Sequence, residues 1–261
     1  MGDNENNLPW YDYQPGVPVP SHITHLRIGV QQAMTAAAEN GSAPETIELP
    51  NCVCVCHPNL EQVQIHVHTL GCIPWRGFYN CKALLQVEFV ATTGQNSTAR
   101  TRSNLSIQSR LTWIDTQAFS SCHQLHSVVG LEHVSSSLKS IHFQAFEYCG
   151  KLAMLDFCCL TQFQYLGMRA MLQCESLTVV DLSNSVQMET IGEGTFACCK
   201  ALKIICLPPN LKRIEYDAFW QCRALESIVI PASVETIGCK AFLNCSSLTR
   251  VTFQSRRHLC T

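Results

Sequence analysis

Charge is scarce in this chain. Asp, Glu, Lys and Arg together reach 15% of its 261 residues, against roughly 25% in ordinary soluble domains. The 18 basic residues are offset by 20 acidic ones, for a formal charge of −2, so no broad basic face is available for nucleic acid. Long apolar runs are missing too: none approaches the roughly 18 residues that suggest a membrane span. Residues 1–7 contain neither a basic n-region nor an apolar h-region, so they do not read as a secretory signal. Asn6 stands where a myristoylation site needs Ser or Thr, and Cys260 is misplaced for prenylation. Patterns of the G-x-S-x-G, H-E-x-x-H and P-loop types are absent. Together these absences predict a non-enzymatic protein of a reducing, cytoplasmic compartment, with no cofactor and no small-molecule substrate. The sequons at Asn40, Asn96, Asn104 and Asn244 would matter only if a signal lay upstream, in which case the protein would be secreted or surface-bound.

Apolar residues and cysteine are abundant. Hydrophobic residues make up 46% of the chain and there are 17 cysteines, an odd number that cannot pair completely within one chain. Their placement is periodic. Ala218, Phe219, Cys222, Leu225, Ile228 and Ile230 recur as Ala241, Phe242, Cys245, Leu248, Val251 and Phe253. The shared frame is I-x-x-x-A-F-x-x-C-x-x-L-x-x-V-x-L. Its cysteine falls at Cys81, Cys122, Cys149, Cys174, Cys199, Cys222 and Cys245, separated by 41, 27, 25, 25, 23 and 23 residues. The Phe position keeps step at Phe78, Phe119, Phe146, Met171, Phe196, Phe219 and Phe242. Seven copies in register mean a solenoid.

An eighth, degenerate unit precedes them. There Val53 and Cys54 replace Ala-Phe, and His57, 24 residues before Cys81, replaces the cysteine. Residues 1–20, with Pro9, Pro15, Pro18 and Pro20, read as a flexible leader. Residues 21–48, with a strand at 23–28 and a short Ala-rich helix at 31–39, read as the N-terminal cap that a repeat array requires. The array then runs over 49–254 with a polar insertion at 91–110, and a tail follows at 255–261. In L-x-x-V-x-L the alternation predicts a strand with one buried face. Ile, Phe, Cys and Leu at three- and four-residue steps predict a short helical return. One unit cannot bury this apolar surface alone; stacked units can.

The recurring Ala, Phe, Cys and Leu resemble the leucine-rich repeats of the BspA type, over roughly residues 47–254. The resemblance implies an α/β solenoid, with a parallel concave sheet and short helical or 3-10 turns behind. Members of that family include surface and adhesion proteins and many of unknown role, so the resemblance implies the fold and leaves the function to the residues. Met171 for Phe, and Gly77 and Thr195 for Ala, depart from the pattern.

Two places could carry chemistry or binding. Cys52, Cys54, Cys56 and His57, followed by His66, His68 and Cys72, offer thiols and imidazoles to zinc or copper. The spacing is not C-x-x-C, however, and an extended strand would turn Cys52, Cys54 and Cys56 to one buried face, so no metal is expected; His66 and His68 read as solvated. The basic residues Arg100, Arg102, Arg110, Arg256 and Arg257 lack the interleaved aromatics of a nucleic-acid site. The second place is the outward side of the strands. Its third positions include Met154, Val179 and Ile204, and its fifth positions Asp156, Asp181 and Val229. An apolar patch beside two carboxylates is the mark of a protein-binding surface. The expectation is therefore an interaction module whose concave face binds an unidentified protein. The alternatives are a surface adhesion repeat and a metal- or redox-responsive protein using the N-terminal Cys/His cluster.

Overall fold

A computed structural model describes residues 10–29, 47–91 and 109–255. Two rows of parallel strands run along the array. The first row contains β1 (Tyr11–Asp12), β2 (His25–Ile28), β3 (Gln62–His66), β5 (Gln86–Val90) and β7 (Ser127–Val129), hydrogen-bonded in that order. It continues as β10 (Val179–Asp181) with β12 (Ile204–Cys206), then β14 (Ser227–Ile230) with β16 (Arg250–Phe253). The second row contains β4 (Cys72–Ile73), β6 (Trp113–Ile114), β8 (Ser140–Ile141) and β9 (Tyr165–Leu166). Its continuation is β11 (Thr190–Ile191), β13 (Arg213–Ile214) and β15 (Thr236–Ile237).

The expected continuous sheet is broken instead. In the first row, Gly130 follows β7 at φ 79 and leads into a 3-10 helix over Leu131–Val134. A side chain at Gly130 would collide with the Phe89 carbonyl, so the chain leaves the sheet here by a route open to glycine alone. Pairing resumes at a single bridge between Met154 and Val179. The row is interrupted again between β12 and β14, and the second row between β9 and β11.

The helical returns are also corrected. Leu131–Val134 is the one helix among the described residues, and it is 3-10. The Ala-Phe-x-x-Cys stretch is instead a chain of turns with two left-handed residues per unit. Gln117 and Ser121, Gln144 and Tyr148, Arg169 and Gln173, Asp217 and Gln221, and Lys240 and Asn244 all have φ between 54° and 64°. Hydrogen bonding explains this. Gln117, Phe119 and Ser121 donate their N–H groups to the next unit's Phe143, Ala145 and Glu147 carbonyls at 2.9, 2.8 and 2.7 Å. The residues between them close turns on their own unit, as with Ala118 N to Asp115 O at 3.2 Å. A helix points every N–H along its own axis, which would leave neighbouring units without these rungs.

Stacked units fill the interior. Phe78, Phe119 and Phe146 stack at 5.3 and 5.2 Å, and Phe196, Phe219 and Phe242 at 5.5 and 5.2 Å. Fully buried Met171 bridges the two runs, a position its flexible thioether can fill. Each frame thiol donates to the Phe-position carbonyl of the preceding unit: Cys122 to Phe78 at 3.1 Å, Cys149 to Phe119 at 3.2 Å, Cys222 to Phe196 at 3.2 Å. The slot therefore takes a small apolar side chain with one weak donor, which is cysteine.

Residues 1–9, 30–46, 92–108 and 256–261 lie outside the described residues, and with them the expected 31–39 helix, most of the 91–110 insertion and most of the tail. The expected flexible leader gives way from Trp10 onward. β1 pairs with β2, Tyr13 is buried, and Asp12 holds Arg27 at 2.8 Å. Alternating Tyr11 and Tyr13 supply the apolar side of a strand that the surrounding prolines obscure in the sequence.

Candidate functional site

The surface opposite the core on the first row is set by strand alternation. Leu155, Val180 and Ile205 are buried at 2, 0 and 6% exposure, whereas their neighbours Met154, Val179 and Ile204 stand at 64, 41 and 54%. Register aligns the outward residues: Met154 bridges to Val179, and Val179 pairs with Ile204. Three apolar side chains from three successive units thus lie side by side. Val229 on β14 is outward as well, at 47%.

The carboxylates at this patch are held locally. Asp156 accepts from Cys158 N at 3.1 Å and Asp181 from Ser183 N at 2.9 Å. Each lies two residues past an apolar member of the row, so together they form an acidic border along one side of the patch. Cys206 pairs in register with Asp181, and its thiol is pushed up first by burial and then by that carboxylate. Polar residues bound the patch towards the N-terminus, where Gln64 donates to Glu88 at 2.8 Å. Ser227, Arg250 and Thr252 are exposed at the other end.

The N-terminal cysteines do not share a face. Cys54 occupies the Phe position and is buried, while Cys52 and Cys56 sit at the two left-handed turn positions and are exposed. Asn80 donates to Cys56 Sγ at 3.2 Å. His57 is buried, with Nε2 at 2.9 Å from the Pro20 carbonyl. His68 is buried, not solvated; His66 is partly buried, and desolvation leads the lowering of its pKa. Among the described residues, no three His, Cys, Asp or Glu side chains are placed to hold a metal ion. The fully buried frame thiols are inert by the same physics: burial pushes Cys81 up to about 12, and Cys122 and Cys149 well above the ordinary thiol value; half-buried Cys245 is the exception, its pKa lowered chiefly by its hydrogen bond with Cys222.

Sequence reasoning missed one feature. Where β9 and β11 fail to pair, a cleft of about 300 Å³ opens between them, lined by Tyr165, Met168, Thr190, Glu193, Glu215 and Tyr216 among others. Its carboxylates are already engaged, Glu193 by Arg169 at 2.9 Å and Glu215 by Arg213 at 3.2 Å. These residues flank Ile or the Ala-Phe pair in the frame, so their spacing was visible; the missing rung that opens the cleft was not.

Comparison with known proteins agrees with this geometry. The family of BspA type leucine rich repeat regions matches in six copies, over residues 47–178, 96–223 and 164–259. A leucine rich cell surface protein from Faecalibacterium prausnitzii is 23% identical and superposes with a TM-score of 0.52. That match covers 93% of this chain and 49% of the other, so this chain spans about half the length of that protein. The leucine rich repeat protein of T. pallidum is 23% identical with a TM-score of 0.55, over 72% of this chain and 78% of the other. No curated protein matches in sequence. At these identities the two structures speak for the fold, and the repeat family covers most of the chain: the protein belongs to the BspA-type leucine-rich-repeat family.

Proposed function

We propose that this protein is a non-enzymatic interaction module that binds another protein on the outward face of its first strand row. One observation carries the reading: Met154, Val179 and Ile204 are exposed and adjacent while the residues that follow each of them are buried. Exposed apolar side chains fixed on strands, bordered by Asp156 and Asp181, suit a partner with an apolar centre and Lys or Arg at its rim. Such interfaces concentrate their energy in a few central contacts. The test compares affinity capture from native lysate by wild type and by a Val179→Glu, Ile204→Glu double variant. Each substitution should weaken a captured complex by about 2 kcal/mol or more and leave the melting temperature nearly unchanged. Unfolding of the variant would mean that these side chains face inward; undiminished capture would move the site elsewhere.

A second reading is a surface or adhesion role. It is favoured by the cell-surface description of the Faecalibacterium protein and by an exposed sequon at Asn244. Secretion with an occupied Asn244 would support it over a cytoplasmic module. Unmodified Asn244 on protein held inside the cell would oppose it.

A further inference from the structure

Three polar side chains are joined on the outer face of the second strand row. Ser140 Oγ lies 3.0 Å from His142 Nε2, and His142 Nδ1 lies 3.2 Å from Asp115 Oδ1. Strand parity explains the first contact: Ser140 in β8 and His142 just past it are two residues apart and share one side. Register explains the second. β6 pairs with β8 as Trp113 with Ser140 and Ile114 with Ile141, so Asp115 falls beside His142. Packing of the repeat does not call for this set. In other units the same two positions hold Tyr165 and Gly167, Thr190 and Gly192, or Arg213 and Glu215.

The carboxylate sets the direction of this relay. An ionised carboxylate only accepts, and Thr116 N donates to the same Asp115 Oδ1 at 2.6 Å, which fixes the side chain. His142 Nδ1 therefore carries the proton, and Nε2 of the neutral ring offers its lone pair to the Ser140 hydroxyl. Tyr165 meets the imidazole edge-on at 6.0 Å. A hydroxyl donating to a base that a carboxylate orients is the arrangement that activates a serine. All three residues are half-buried, so small reagents reach them. Ser140 also lies in register between Trp113 and Tyr165, which are 38 and 50% exposed. These two are rooted two strand spacings apart, roughly 10 Å, and wall the small serine side chain with apolar rings.

We propose that Ser140 is an activated nucleophile that accepts one acyl group from a reactive carboxylic ester. Oγ attacks the ester carbonyl carbon while its proton passes to His142 Nε2. The Oγ–C bond forms, the bond to the leaving alcohol breaks, and the alcohol departs with that proton. Trp113 and Tyr165 receive the apolar part of the ester. The reaction is stoichiometric and does not turn over. The N–H groups of Ser140 and His142 are spent on the Thr112 and Ile114 carbonyls at 3.4 and 2.9 Å, so neither is free to stabilise an oxyanion, and the acyl-serine persists. The site lies on the second strand row, apart from the Met154–Ile204 patch, and does not depend on what that patch binds.

Incubation of the full chain with p-nitrophenyl acetate, followed by peptide mass spectrometry, tests the inference directly. Wild type should release about one equivalent of p-nitrophenolate in a burst and carry the acetyl group on Ser140. Ser140→Ala should abolish the burst. His142→Gln should slow acetylation of Ser140 by about 100-fold or more. Asp115→Asn should slow it as well, because an amide can donate to Nδ1 and turn the Nε2 proton toward Ser140. All three variants should keep the wild-type circular dichroism, since none of these side chains lies in the core. Acetylation of Ser140 no faster than that of exposed Ser136 and Ser183 would overturn the proposal. So would a burst undiminished in Ser140→Ala, or an unchanged rate at Ser140 in His142→Gln or in Asp115→Asn.

Discussion

Gln173 separates the turn architecture from the helix that the sequence suggests. Its φ is 59°, and its N–H crosses to Ala197 of the next unit at 2.9 Å. For a residue with a Cβ, the left-handed region carries a penalty of about 1–2 kcal/mol. Gln173→Gly removes that penalty and adds about 0.5–1 kcal/mol of unfolded-state entropy, so the two nearly cancel. Gln173→Val places a β-branched side chain where such residues are outliers and should cost about 1–2 kcal/mol beyond wild type. In a helix the order reverses: glycine would lose about 0.5 kcal/mol relative to glutamine, and valine less. Reversible urea denaturation of the three proteins gives the ranking without needing absolute values. Glycine close to wild type with valine clearly weaker supports the turn ladder. Glycine weaker than valine would refute it and restore a helical return.

Other perturbations probe the core and its chemistry. Phe219→Ala removes a fully buried ring stacked on both faces and should cost about 3–5 kcal/mol in the same assay. Cys222→Ala should be milder, about 1 kcal/mol, because the Phe196 carbonyl that its thiol reaches also accepts from Cys199 N at 3.2 Å. Thiol labelling of the folded protein, mapped by mass spectrometry, should modify Cys52, Cys56, Cys158, Cys206 and Cys239 before any of the buried frame cysteines Cys81, Cys122, Cys149, Cys174, Cys199 and Cys222; early modification of Cys149 would show that the ladder is open. Glu147 has its pKa raised, chiefly by burial, so the folded protein holds this proton more tightly than the unfolded chain. Stability should then fall as pH rises from the ordinary glutamate range through the raised value, and Glu147→Gln should gain in melting temperature at neutral pH with no gain well below that window.

The sequence makes the repeat legible because packing demands the same few residues at each turn. Phe146 or Phe219 can be read as core from position alone, and strand alternation correctly sends Val179 outward and Val180 inward. The local conformation between those anchors is harder to read. Steps of three and four residues suit a helix and a coil of turns alike, and the left-handed positions hold Arg76, Gln117, Gln173 and Lys240. Only Gly194, at φ 57, bears the usual mark of such a position. Rungs between units decide the matter, and they are long-range hydrogen bonds that no local window contains. The same limit hid the break between β9 and β11. Cys52, Cys54 and Cys56 look like one face in an extended strand, but turn geometry buries the middle thiol alone.

These rungs also link stability to the binding proposed for the outward row. In a solenoid each unit contacts only its neighbours, so the outward row is held by the inward one. Met154, Val179 and Ile204 present a fixed surface because Leu155, Val180 and Ile205 are locked beneath them, and the Phe and Cys ladders fix the spacing between successive units. Substitution at the buried member of a pair should unfold the unit and remove the surface with it. Substitution at the exposed member should change what the surface binds and leave the ladder standing. The distinction follows strand parity alone, so Val179→Glu and Val180→Glu, one residue apart, should fail for different physical reasons: the first by losing a partner, the second by burying a charge without one.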